Sequence, residues 1–251
     1  MKSVVGLMQM KEDFKIGDTT IHAIVHRKHV DQPTMLNVHD DENTAVEAGK
    51  VSLIDDGGRI IELVHSGKRL ITFTLGETNY TFDPNRIFSD PGIIATLKRH
   101  GSYSEEAHKE IAAFANQYLN RFRLDQEPVI IALHNVSDKT FSIESFAAGG
   151  WLCAGIAEIH INPSHSKFDF FFVTDKRFHT YLKERDFNVV LQDNDQVPDD
   201  GSLSVYFAHK NIPYINVEAE MGHLESQIEM LKAVRGMLRT LRLENYRDFD
   251  L

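Results

Sequence analysis

The sequence predicts an α/β protein, a three-layer α/β/α sandwich around a mixed, mostly parallel central sheet. Three observations predict it. Strand-like runs alternate with helical patterns along almost the whole chain. Several of those runs are apolar at every position, as strands buried on both faces are. No repeat, low-complexity tract or linker rich in Pro, Gly or Ser interrupts the alternation, so residues 1–251 are read as one domain.

The expected strands cover residues 21–25, 34–38, 59–64, 70–74, 129–133, 169–173, 188–191 and 214–217, most of them rich in Val, Ile and Phe. A helix is expected from Glu42 to about Gly49. Ser104, followed by Glu105 and Glu106, opens a longer one running to about Phe122, with Ile111, Ala115, Tyr118 and Phe122 at helical spacing. The last helix begins near Leu224 and carries Ile228, Leu231, Val234 and Leu238 on one face. Lys232, Arg235, Arg239 and Arg242 crowd its final turns and read as a solvated, dipole-complementing helix end.

Composition narrows the function classes. Hydrophobic residues at 42% and charged residues at 25% describe an ordinary soluble chain that can bury a core without disulfides or metal. Lys+Arg 27 against Asp+Glu 37 gives a net charge of -10, the wrong sign for a nucleic-acid partner held on a broad basic surface. The single cysteine, Cys153, permits neither an intrachain disulfide nor a thiolate-rich zinc site. No apolar run approaches the roughly 18–20 residues of a membrane span, so no membrane insertion is expected. Lys2 and the short apolar run ending at Met10, followed by Lys11, Glu12 and Asp13, do not make a secretory signal. The expected location is cytoplasmic, or periplasmic or secreted if a leader precedes this sequence.

In open α/β sheets ligands gather at the carboxyl ends of strands, so polar residues just beyond buried strands are the ones to question. After residues 34–38 come His39, Asp40, Asp41 and Glu42. His39 and Glu42, three apart where a strand turns into a helix, can aim a nitrogen and an oxygen at one zinc ion. With 13 His in the chain such a pair arises by chance about once, so two other readings stay open. Asp40 or Asp41 can cap the helix with Glu42 favouring its first turn, or Asp40, Asp41 and Glu42 can bind Mg or Ca through oxygen.

His134 directly follows the apolar run 129–133 and would complete a two-His, one-carboxylate site with a fourth position open to water; alternatively it is a hydrogen-bonded strand-end histidine. Glu218 and Glu220 lie near the end of the last strand. A carboxylate near the metal but not bound to it can take a proton from the attacking water, and strand alternation puts both acids on one face, so Glu220 rivals Glu218 unless both are solvent-facing. Asn85 and Arg86, between aromatics in the Pro-containing stretch from Tyr80 to Phe88, suit a guanidinium fork for a substrate carboxylate or oxyanion, or a structural ion pair.

Taken in order, His39-x-x-Glu42, Asp83-Pro84-Asn85-Arg86-Ile87-Phe88, His134 and Glu218 resemble the zinc carboxypeptidases, most closely the succinylglutamate desuccinylase and aspartoacylase branch. The resemblance spans residues 20–240 and includes a gap of 92 positions between Glu42 and His134. It implies a zinc-peptidase-like fold, with Zn2+ held by His39, Glu42 and His134. It further implies substrate binding by Asn85 and Arg86, and Glu218 as general base. Two features depart from the pattern. The chain ends in a helix where aspartoacylases carry a β-rich domain, so an N-acyl-aspartate substrate is not implied. The expected oxyanion arginine is missing from Gly76 to Phe82; Arg69, seventeen residues before Arg86, is the substitute unless it is a surface residue at a strand start.

The expectation is therefore a zinc-dependent hydrolase cleaving an amide bond of a small peptide or N-acyl amino acid with a free carboxylate. A non-catalytic peptide- or glycopeptide-binding protein on the same fold is the alternative, and an esterase or deacylase using the same site is another. Ser202 is read as a helix cap, and Tyr206 either as a substrate contact or as a packed helix aromatic. His160, His165 and His223 are set aside. Specificity is assigned to the loops at residues 142–165 and 192–202.

Overall fold

The computed structural model describes residues 6–29 and 32–243. Lys2 and the first residues of the N-terminal apolar run lie outside them. The strands are β1 (Met8–Ile16), β2 (Thr19–Lys28), β3 (Thr34–Asn37), β4 (Gly58–Val64), β5 (Ile71–Leu75), β6 (Thr78–Phe82), β7 (Ile130–Val136), β8 (Ile156–His160), β9 (Phe170–Val173), β10 (Val189–Gln192) and β11 (Tyr214–Glu220). The helices are α1 (Asn43–Asp56), α2 (Asp90–His100), α3 (Glu105–Phe122), α4 (Lys176–Lys183), α5 (Leu203–His209) and α6 (Leu224–Leu241). Among the described residues no helix is long and apolar enough to cross a membrane.

Nine strands form one mixed sheet in the order β1-β2-β4-β3-β7-β11-β9-β10-β8. Its centre is parallel: β4 with β3, β3 with β7, and β7 with β11. Period-two alternation splits the central strands between two apolar layers. Ile130 and Ala132 of β7 pack with Ile111, Phe114, Leu203 and Phe207 of α3 and α5. Ile131 and Leu133 face the other way, onto Ala45, Leu53, Phe178, Leu231 and Val234 of α1, α4 and α6. This is the three-layer sandwich, and it explains why residues 130–133 of β7 are apolar at every position.

The topology also makes the crevice. From β3 the chain crosses through α1 to β4 on one side, whereas β7 is followed across the sheet by β11 on the other, so the order reverses between β3 and β7. The two strands pair only from Thr34↔Ile130 to Leu36↔Ala132 and then part. β7 and β11 stay in register to Val136↔Glu220. A ligand site is expected at such a reversal, beyond the carboxyl ends of the strands.

Several elements differ from the sequence reading. The run 70–74 is a strand, but it pairs with β6 in a separate two-stranded sheet instead of joining the main one. β6 itself occupies part of what reads as a Pro-containing loop. β1, β8, α2 and α4 had no signal strong enough to assign: β1 and β8 are exposed edge strands, and α4 is only 8 residues long. The basic end of α6 is not wholly solvated, since Arg235 is 1% exposed and donates to Ser52 Oγ and Gly57 O. Ser104 caps α3 as expected, accepting from Ala107 N. Ser202 stands at the start of α5, but its hydroxyl bonds Ser204 Oγ; the α5 amide of Leu203 donates instead to Asn85 Oδ1 at 3.0 Å.

That last contact belongs to a tight crossing. Gly92 of α2 lies against Gly201, and a Cβ on Gly92 would come within 2.4 Å of Gly201 Cα and 2.8 Å of Arg86 O. All are backbone atoms, which cannot rotate away. Gly92→Ala is therefore expected to destabilise the fold by about 1–3 kcal/mol, read from the urea denaturation midpoint.

Candidate metal centre

The loop after β3, the end of β7 and the end of β11 converge at this crevice. His39 stands two residues beyond β3, and Glu42 is the residue preceding α1. His134 lies in β7 in direct register with Glu218 of β11, so both project from one face. His39, Glu42 and His134 are 1%, 2% and 3% exposed, and their candidate ligand atoms all lie within 4.8 Å of one another. Among the described residues this is the one such group of His, Cys, Asp and Glu.

The contacts define the chemistry. His39 Nδ1 is 3.1 Å from His134 Nδ1 and 3.0 Å from Glu42 Oε1, while His134 Nδ1 is 2.9 Å from Glu42 Oε2. Two imidazole lone pairs and a carboxylate cannot face one another this closely unless a cation, proton or metal, sits between them. Ligands about 2.0–2.1 Å from a tetrahedral zinc stand roughly 3.3 Å apart, so the set is close to metal-holding geometry. The far nitrogen of His39, Nε2, meets Asp83 Oδ1 at 2.9 Å. A carboxylate there keeps the proton on Nε2 and leaves the Nδ1 lone pair for a metal. His134 has no equivalent: its Nε2 is buried with no partner among the described residues.

The charges of the group hold one another. Burial opposes the His39 imidazolium, but the Glu42 and Asp83 carboxylates outweigh it and raise its pKa from 6.5 to about 9. Burial likewise opposes the Glu42 anion, yet His39 and His134 keep its carboxyl well below the usual range. For Asp83 burial is again overcome, by His39 and then by Arg69 and Arg86. Glu218 goes the other way: burial first, then the negative charge of Glu42, pushes its pKa up against the pull of His134, Asn216 and Arg69.

The other sequence-nominated residues fall into two groups. Arg69 is partly exposed just before β5, yet its guanidinium turns inward: it donates to Glu42 Oε1 at 2.6 Å, with Asp83 Oδ2 3.7 Å away. Arg86 lies beyond Asp83 in the same segment, its Nε 3.6 Å from Asp200 Oδ2. The arginine side chains are 46% and 38% exposed, so a buried ligand set has a basic, accessible rim. Glu220, in contrast, is ion-paired with Lys139, and His223 stands between it and Asp169. Tyr206 donates to Asp125 and packs on Phe88, as a helix aromatic does. His160 bonds Asp186, and His165 packs on Phe187.

Asp40 and Asp41 do not join the ligand group; Asp40 Oδ2 accepts from His65 N and Gly67 N. The loop 192–202 starts at the end of β10, beside the edge strand β8, and its end, Asp199 to Ser202, packs beside Arg86. Sequence reasoning gave Asp83 no separate role, although its motif had been singled out. Strand alternation puts Asn216 on the face of Glu218, but the sequence assigns it no role; its Nδ2 donates to Glu218 Oε2 at 3.0 Å.

No family model matches the chain, and no curated protein matches it. Among solved structures, the chain is similar to thrombin activatable fibrinolysis inhibitor over 94% of this chain and 70% of that one, with 11% identity and a TM-score of 0.48. It is also similar to a "putative metallopeptidase" from Shewanella denitrificans over 93% and 84%, with 12% identity and a TM-score of 0.46. Values this low carry no function across, and the site is interpreted from its own residues.

The His39–Asp83 contact has a measurable consequence. A metal held by His39, Glu42 and His134 should bind about 10–100-fold more weakly in Asp83→Ala, with stoichiometry unchanged at saturation. Competition against a chromophoric chelator measures it.

Proposed function

We propose that this protein is a zinc-dependent hydrolase that cleaves an amide bond in a small peptide or N-acyl amino acid bearing a free carboxylate, as a carboxypeptidase or amidase. The observation that carries this reading is Glu218, a buried carboxylate in register with His134 yet outside the ligand group. Metal binding alone does not call for this second buried carboxylate, which accepts from Asn216 and stays outside the ligand group. The order of His39, Glu42, the Asp83–Phe88 stretch, His134 and Glu218, resembling the desuccinylase and aspartoacylase branch, supports the same assignment.

His39, Glu42 and His134 would hold the zinc through two nitrogens and a carboxylate oxygen, the donor set of a catalytic site with a position left open. When bound, zinc lowers the pKa of coordinated water toward ~7 and polarises the scissile carbonyl. The remaining work falls to side chains. Glu218, made more basic by burial, takes the proton of the attacking water and returns it to the leaving nitrogen. Asn216 holds the Glu218 carboxylate in one orientation. Arg69, with its guanidinium against Glu42, lies where it can stabilise the oxyanion. Arg86 grips the substrate carboxylate, and Asn85, whose Oδ1 is tied to Leu203 N, fixes that segment.

Glu218→Gln should retain zinc and lose about 10²–10⁴-fold in kcat, while Glu220→Gln stays near wild type. The reverse pattern would show the base to be misassigned. Arg86→Ala should raise KM at least as much as it lowers kcat, because a carboxylate grip orients the substrate before and during attack. A panel of peptides, acyl-amino acids and esters provides the assay. Binding of such compounds without turnover would favour the binding-protein alternative.

A further inference from the structure

On the face of the sheet away from His134 and Glu218, two buried amides join β7, β11 and α1, the elements that carry or adjoin His134, Glu218 and Glu42. Asn135 follows His134 in β7 and so points to the opposite face; Gln227 lies in the first turn of α6. They are 3% and 0% exposed. Asn135 Nδ2 donates to Gln227 Oε1 at 2.9 Å and to Ala219 O at 3.3 Å. Gln227 Nε2 donates to His134 O at 2.9 Å and to Val217 O at 3.2 Å. Those carbonyls belong to His134 itself and to the residue before Glu218.

The remaining atom of the pair, Asn135 Oδ1, reaches the helix that Glu42 precedes. Glu42 occupies the position from which a side chain ordinarily accepts an amide of a helix's first turn, yet it makes no such bond, because its oxygens face His39, His134 and Arg69. The amide of Ala45, third in α1, donates instead to Asn135 Oδ1 at 2.8 Å. The start of α1 is thus capped from the neighbouring strand. Two buried primary amides in a largely apolar layer cost desolvation energy unless fully bonded, and apolar side chains would fill that volume at lower cost. Their bonds all end on the segments that bear Glu42, His134 and Glu218.

We propose that Asn135 and Gln227 are positioning residues for the metal centre: they cap α1 in place of Glu42, freeing its carboxylate for the metal, and fix the separation of the β7 and β11 ends that carry His134 and Glu218. The inference rests on the zinc reading above for its metal readout, and on the helix cap alone for a second readout.

The test compares Gln227→Met, which keeps the volume and removes the donors, and Asn135→Leu with Arg235→Met. Arg235 is an equally buried polar side chain joining the same two helices, at the end of α1 away from the site. Zinc affinity and the visible absorption of the Co2+-loaded protein are measured for each, with amide exchange at Ala45 in metal-free protein. Gln227→Met and Asn135→Leu should bind zinc about 10–100-fold more weakly, alter the Co2+ bands and speed Ala45 exchange. Arg235→Met should lower Tm while leaving all three as in wild type. Unchanged affinity and spectra in Gln227→Met, or equal changes in Arg235→Met, would overturn the proposal. If wild type itself binds neither metal, the zinc reading fails, and unaltered Ala45 protection in both amide variants would show that the clamp fails independently. Gln227→Met carries the test should Asn135→Leu not fold.

Discussion

Two imidazole nitrogens 3.1 Å apart, with a carboxylate 2.9–3.0 Å from each, form a buried arrangement in which bare lone pairs would repel, so a proton or a metal ion must sit among them. Much of the architecture follows from holding that arrangement. The separation of β3 from β7 beyond Leu36 and Ala132 opens the space, and His39 enters it from one strand end while His134 enters from the other. Continued pairing of β7 with β11 then brings Glu218 alongside. Asn37 Nδ2 donates to Leu133 O across the gap, joining the two strands where their backbones no longer bond.

Three carboxylates stand in three different surroundings within this small volume, and the roles proposed for them follow from those surroundings. Glu42 lies between two imidazoles and a guanidinium and stays anionic, as a ligand must. Asp83 accepts from the outer nitrogen of His39 and stays anionic, as a positioning group must. Glu218 is buried near Glu42 with less compensation, which raises its affinity for a proton and suits it to proton transfer. Arg69 and Arg86 provide positive charge at the accessible side, toward which an anionic substrate in a chain of net charge -10 would be drawn.

The parallel centre of the sheet was legible in the sequence because its buried strands carry apolar runs, such as residues 129–133, that give way at once to polar residues. His39, Glu42, His134 and Glu218 were legible for the same reason. The edge strands β1 and β8 were not, since they bury too little of either face to show an alternation. Arg69 remained ambiguous because one-dimensional spacing does not say whether the turn before β5 points inward. Asn135 and Gln227 gave no signal: each is an ordinary amide in its own segment, and only the packing of α6 on the sheet, 92 residues later in the chain, makes them partners. Helix caps supplied in trans, by Asn135 for α1 and by Asn85 for α5, are invisible to rules that look for a cap one to three residues away.

Metal content of the purified protein by mass spectrometry, with His134→Ala alongside, tests the central claim most directly. Near-stoichiometric zinc in the wild type, lost in a folded His134→Ala, is the predicted result, because the ligand set spans two strand ends and needs both. A folded wild-type protein that takes up no zinc even after incubation with it would contradict the account.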